Sequence, residues 1–230
     1  MVTMEQLFFE AEIHFFKDYL ETLEEFLRTE AQHLAQSLET LDLGYEPLPE
    51  ERDGVRNSDD YEAEHEQYYE PSPREVEEQL RDRLNAIDNF ANLLRSSFFV
   101  SLFPFLESRL IKECESRKGT HILLSLSDIR GHHDLDRFQK YFAKVLQIYF
   151  PGDTTQWQEI QNYRVLRNCI VHNHGTLSGF GDAKRLRDYV ERKPDLLISG
   201  DEIFLNAAFC SEAVETVKGF FCLLISSGWP

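Results

Sequence analysis

Apolar residues recur at helical spacing along most of the chain. Leu7, Ala11, Phe15, Tyr19, Leu23, Phe26, Leu27, Leu34 and Leu38 fall largely three or four apart. This stripe predicts one long amphipathic helix over residues 3–40, stopped by Gly44 and Pro47. A second long helix is predicted from Pro73, with Ser72 as its cap. Its stripe is Val76, Leu80, Leu84, Ile87, Ala91, Leu94 and Phe98. From Phe98 to Phe103 the pattern is apolar on all sides, as expected of a helix crossing the centre of a fold. Pro104 is expected to kink or divide it. Phe105, Leu106, Leu110 and Ile111 continue the pattern to about Ser116, and Gly119 ends it.

The second half alternates shorter elements with turns. An apolar stretch, His121–Leu126, leads into Ser127-Asp128-Ile129-Arg130-Gly131. Leu135, Phe138, Phe142, Val145 and Tyr149 predict a helix, closed by the turn Pro151-Gly152-Asp153. Thr154 or Thr155 caps the next helix, which carries Trp157, Ile160, Tyr163, Leu166, Ile170 and Val171 and stops at Gly175. A further helix is predicted over Asp182–Arg192. Leu196–Ile198 and Ile203–Leu205 flank Ser199-Gly200-Asp201-Glu202, a hairpin signal. A last helix, roughly Phe209–Ser226, shows Val214, Val217, Phe221 and Leu224. The expected fold is all-α: an antiparallel helix bundle with long N-terminal helices and one small β-hairpin near the C-terminus.

Between the first two helices, residues 44–73 contain Pro47, Pro49, Gly54, Pro71 and Pro73 and few aliphatics. They read as an acidic flexible insertion in a single domain of residues 1–230. Such a long connection is either a solvated insertion or a charge-mimicking, regulatory segment. The 230 residues are 42% hydrophobic and 13% aromatic, which is a folding composition. The longest strongly apolar runs, Phe98–Leu106 and Gly219–Ile225, are each under half a membrane span, so no membrane partner is expected. The first residues, MVTMEQLFFEAE, hold early acids and no basic stretch, so no signal peptide is expected. Cys114, Cys169, Cys210 and Cys222 show no CxxC spacing and read as buried reduced thiols. A cytoplasmic location fits.

The net charge of −17 excludes a uniformly basic nucleic-acid coat. Its distribution changes that picture. Residues 1–45 carry −8 and 46–78 carry −10, whereas 109–197 carry +4. The charge therefore does not exclude a nucleic-acid partner, which would meet a restricted basic patch flanked by acid, with the acidic insertion restraining access.

One segment concentrates chemistry: Arg164-Val165-Leu166-Arg167-Asn168-Cys169-Ile170-Val171-His172-Asn173-His174-Gly175. Arg164, Asn168 and His172 stand four apart, on one helix face. Arg167 and His172 lie roughly 140° apart at 3.6 residues per turn, so a shared site needs a second element or subunit. The helix C-terminus favours a protonated His172. Imidazole can donate or accept a proton, and arginine can hold a phosphate through paired N–H donors. No carboxylate cluster accompanies them, which suits metal-free phosphodiester cleavage. Other roles stay open. Asn168, His172 and Asn173 can cap free carbonyls or join a core network, and His172, His174, His132 and His133 are a minor metal alternative.

Arg167-Asn168-Cys169-Ile170-Val171-His172 resembles the R-x(4–6)-H motif of HEPN-domain proteins, in which a polar residue commonly follows the arginine. Asp128-Ile129-Arg130-Gly131 and the closing hairpin plus helix are similar to bacterial HEPN-like proteins. The resemblance covers residues 74–226. It implies a metal-independent endoribonuclease without cofactor, acting as a toxin or antiphage defence effector at a composite site in a homodimer. It implies Arg167, Asn168 and His172 as catalytic residues and a possible cognate antitoxin or regulatory protein as partner. Arg164, Asn173, Lys184, Arg185 and Arg187 are the expected RNA contacts, although such bases also form ordinary solvated helix faces. The alternative is a non-catalytic HEPN-like interaction or scaffold module.

Overall fold

The computed structural model describes residues 4–44, 72–129 and 134–226. Most of the expected insertion, Arg130–His133 and the last four residues lie outside the described residues. Among these residues run α1 (Met4–Gly44), α2 (Pro73–Ser116), α3 (Asp134–Lys140), α4 (Thr155–Asn173), α5 (Ala183–Val190) and α6 (Ala207–Ser226). The strands β1 (Leu196–Ser199) and β2 (Glu202–Leu205) pair antiparallel, with Leu196 opposite Leu205 and Ser199 opposite Glu202. The fold is thus all-α with long N-terminal helices and one small hairpin. No helix among the described residues is long and apolar enough to cross a membrane.

Local chemistry explains the boundaries. Ser72 and Glu75 cap α2 reciprocally: the Ser72 amide donates to Glu75 Oε2 at 2.7 Å, and the Glu75 amide donates to Ser72 Oγ at 3.4 Å. Pro104 lies inside α2 without dividing it. Buried Phe98, Phe99, Leu102, Phe103 and Leu106 surround it on the same helix. At about 1.5–3 kcal/mol per buried side chain, their packing outweighs one lost backbone bond. The apolar stretch 121–126 forms no strand and ends in a 3₁₀ turn, Leu126–Asp128. There Asp128 accepts from the Ser125 amide and hydroxyl at 2.8 and 2.7 Å. The helix expected through Tyr149 is shorter: α3 runs into a π-helical turn, Tyr141–Leu146, closed by Gln147 at φ +56°.

The chain divides into two compact units, residues 25–90 and residues 1–24 with 91–230. In the larger unit an aromatic cluster joins α2, α4 and α6. Phe99, Tyr163 and Phe209 lie 5.4–5.7 Å apart by ring centroids, and Trp157 lies 5.1 Å from Phe220. The N-terminal part of α1 buries Phe9, Ile13, Leu20 and Leu23, with Phe9 5.2 Å from Phe221. This corrects the stripe read from sequence, since Leu7, Phe15 and Tyr19 are exposed. The helix has apolar residues on two adjacent sides, and periodicity alone does not choose between them.

The larger unit also buries charge. Glu113 is 3% exposed and accepts ion pairs from Arg109 and Arg117, each at 3.2 Å and one turn away. Arg117 also donates to the Leu224 carbonyl at 3.0 Å. Cys114, Cys169 and Cys210 are buried, but Cys222 is exposed, which corrects the expectation of four buried thiols. Cys222 follows the buried pair Phe220–Phe221 on α6 and turns away from their side of the helix.

In the smaller unit, the segment of α1 from Glu25 runs beside the segment of α2 up to Phe90. Leu27 and Leu34 are buried, Phe26 meets Phe90, and Arg83 donates to Glu30 at 2.8 Å.

Candidate active site

The candidate residues sit on α4. Thr154 Oγ1 accepts from the Trp157 amide at 3.3 Å and starts the helix. Trp157, Ile160, Tyr163, Leu166 and Cys169 are buried and fix its inward side. Arg164, Asn168 and His172 occupy successive turns of another side, with Val171 beside them. His172 and Val171 are exposed, while Arg164, Arg167 and Asn168 are half-buried.

Arg167 is held from two directions. Its guanidinium lies 6.0 Å from the centroid of the Phe103 ring on α2. Its Nη1 donates to Asn168 Oδ1 at 3.1 Å. Its Nε is buried without a hydrogen-bond partner among the described residues. The arginine is therefore positioned by a ring and an amide, with no carboxylate ion-paired to it among the described residues.

The C-terminus of α4 is stitched to the hairpin. His174 takes the left-handed conformation at φ +53°, followed by Gly175 at φ +77°. The stop expected at Gly175 thus begins one residue earlier. The Gly175 amide donates to the Cys169 carbonyl at 3.2 Å, and its carbonyl accepts from the Ile203 amide at 3.0 Å. The Leu177 amide donates to the Asp201 carbonyl at 2.8 Å, and the Ser178 amide to Asp201 Oδ2 at 2.7 Å. The hairpin is in turn bolted to α2. Asn92, 6% exposed, donates to the Ile203 carbonyl at 3.1 Å and accepts from the Leu205 amide at 3.0 Å. Through β2 and Gly175, Asn92 fixes the end of the helix that carries His172.

Arg164, Arg167, Asn168, His172 and Asn173 all lie on α4, where Arg167 and Asn168 are in contact, and the other expected RNA contacts lie on α5. Arg164 Nε donates to Gln161 at 3.2 Å. The Asn173 amide caps the helix, donating to the carbonyls of Thr176 and Ser178. Lys184, Arg185 and Arg187 are exposed on α5. Arg185 donates to Asn162 on α4 at 3.2 Å, and Arg187 pairs with Asp201 at 3.6 Å.

Cys169 lies within the motif but is no nucleophile at neutral pH. Burial, with the Asp201 charge second, pushes its thiol up to about 11, and it donates to the Thr176 carbonyl at 3.3 Å. Among the described residues, no group of three or more His, Cys, Asp or Glu is placed to hold a metal ion. His132 and His133 lie outside them.

Sequence reading missed Phe103, Asn92 and Asp201. Phe103 is one of many aromatics in an apolar run. Asn92 carried a faint signal, a lone amide between the buried Ala91 and the apolar pair Leu93–Leu94. No family model matches the chain, and neither a curated protein nor a solved structure matches it.

Proposed function

We propose that this protein is a metal-independent endoribonuclease of the HEPN type, acting at a composite site between two copies of the chain. The observation that carries the reading is the placement of Arg167. Its guanidinium is held by Phe103 and Asn168 on a helix whose next turn presents an exposed His172. An arginine fixed in this way can meet a phosphate with its remaining donors. His172, as neutral imidazole, accepts the proton of an RNA 2′-hydroxyl. The 2′-oxygen attacks phosphorus and the P–O5′ bond breaks. The leaving oxygen takes a proton from water, and the His172 imidazolium passes its proton to the hydroxide left behind, while Arg167 of the second copy completes the site. The products are a 2′,3′-cyclic phosphate and a 5′-hydroxyl. Arg167 opposes the added charge on the phosphorane. Exposed Val171, between Asn168 and His172, offers an apolar point where two copies can meet.

Exposed Lys184 supports RNA contact, and Arg164, Arg185 and Arg187 retain donors beyond those they share within the chain. Such an enzyme would work in the cytoplasm as a toxin or antiphage effector, restrained by an antitoxin or regulatory protein. A non-catalytic interaction module is the second reading. It is favoured by the engagement of Asn173 in the helix cap and of Arg187 with Asp201. The experiment is RNA cleavage in EDTA by the purified chain and by Arg167→Ala, whose folding is checked by circular dichroism. Cleavage lost with Arg167→Ala supports the enzyme; equal cleavage by both proteins removes Arg167 from the mechanism.

A further inference from the structure

The smaller unit carries a feature that the ribonuclease reading does not use. Phe26 on α1 and Phe90 on α2 meet edge to face, with centroids 6.4 Å apart and planes at 67°. Yet they are 50% and 41% exposed. Together with Leu34, Ala86 and Ile87 they line a cleft of about 300 Å³. Glu30 and Arg83 close its rim as an ion pair at 2.8 Å. An exposed aromatic pair over an apolar floor, bordered by a pre-formed ion pair, has the make-up of an anchor pocket in a protein interface.

The charge of the unit selects the occupant. Among residues 25–90, a net −13 out of −17 for the chain, the described residues 25–44 and 72–90 hold nine acidic and four basic residues, a net −5. Asp82 and Asp88 are exposed on the same helix as Phe90. A second copy of this unit would bring −13 against −13. RNA and anionic lipid surfaces are repelled by the same field. A basic protein segment is attracted, and the cleft needs apolar side chains from it.

We propose that the cleft between Phe26 and Phe90 is a docking site for a basic amphipathic helix of a partner protein. Apolar side chains at three- and four-residue spacing enter the cleft, and Lys or Arg on the flanks face the acids of the unit. This inference stands apart from the Arg167–His172 site and does not depend on it.

The test uses the full chain and a fluorescein-labelled Leu/Lys peptide with helical spacing of its leucines. Controls are the same composition in scrambled order and a Leu/Glu peptide of identical pattern. Fluorescence anisotropy should show saturable binding of the patterned Leu/Lys peptide alone, weakened at least tenfold by Phe90→Ser and by Phe26→Ser. Asp82→Lys with Asp88→Lys should weaken it too and flatten its salt dependence, which keeps the test valid if a phenylalanine variant fails to fold. Equal binding of the scrambled or Leu/Glu peptide, or affinity unchanged in the folded variants, would overturn the proposal. So would sedimentation showing that Phe90→Ser turns a dimer into a monomer, since a second copy would then occupy the cleft.

Discussion

Arg167 donates from Nη1 to Oδ1 of Asn168, its neighbour on α4, at 3.1 Å, while its guanidinium lies over the Phe103 ring. The bond turns two adjacent side chains into one unit, and it makes Asn168 a positioning residue.

The proposed site should therefore respond in grades. Asn168→Ala frees the guanidinium but keeps its charge. We expect kcat for RNA cleavage to fall roughly tenfold with KM little changed, about 1.4 kcal/mol of lost transition-state stabilisation. Arg167→Lys keeps the charge but loses the planar fork, and should lose on the order of a hundredfold. Steady-state kinetics on a fluorogenic RNA measures both. Full activity in Arg167→Lys would mean that point charge alone suffices.

A composite site predicts complementation. Arg167→Ala and His172→Ala should each be inactive. Mixed and allowed to exchange, they form hybrids in which an intact Arg167 of one copy faces an intact His172 of the other. Cleavage should reappear on mixing, to at most about a quarter of the wild-type level if half the dimers are hybrids with one of two arrangements restored. No recovery after exchange shown by mass spectrometry would place both residues in one protomer's site.

The long helices, the hairpin and the all-α class were legible because each has a local cause. Ser72 and Pro73 start α2, Thr154 starts α4, and a turn separates the two apolar strand runs. The inward side of α1 was not legible. Phe9 and Ile13 form one apolar ridge and Phe15 and Tyr19 another, and only the arrangement of α2 and α6 decides which is covered. The candidate site divides in the same way. Asn168 and His172 share a face by spacing alone. The Phe103 ring under Arg167 and the Asn92 anchor cross 64 and 111 residues of sequence, so no local pattern encodes them. The helix end was placed within a residue, but the left-handed turn at His174 follows from the hairpin that receives Gly175.

Asn92 should govern stability. Asn92→Ala leaves the Ile203 carbonyl and the Leu205 amide without their partner. We expect a loss of about 2–4 kcal/mol, seen as a Tm lower by roughly 5–10 °C for a chain of this size. Differential scanning calorimetry measures it. An unchanged Tm would show that the hairpin holds without the amide.

The thiols predict an alkaline limit. Burial pushes Cys114 and Cys210 up to about 12 and Cys169 up to about 11, from an ordinary value of 9.0. Between pH 9 and these values the unfolded chain releases protons that the folded chain retains. Stability is therefore full below pH 9 and falls above it, by about 1.4 kcal/mol per pH unit per thiol. Urea unfolding of Cys210→Ala should show a shallower fall from pH 9 to 11 than the wild type. At pH 8, a thiol reagent should label exposed Cys222 rapidly and the three buried cysteines only on unfolding.

The proposed enzyme depends on His172 handling the proton of a 2′-hydroxyl at this face of α4. The most direct measurement is cleavage of one end-labelled RNA in EDTA by wild type and His172→Ala, with a matched substrate carrying 2′-deoxy sugars at the cleaved positions. We expect a 2′,3′-cyclic phosphate product from the wild type, loss on the order of a thousandfold in His172→Ala, and no cleavage of the 2′-deoxy substrate. Cleavage of the 2′-deoxy substrate at an equal rate, or an undiminished rate in His172→Ala, would contradict it.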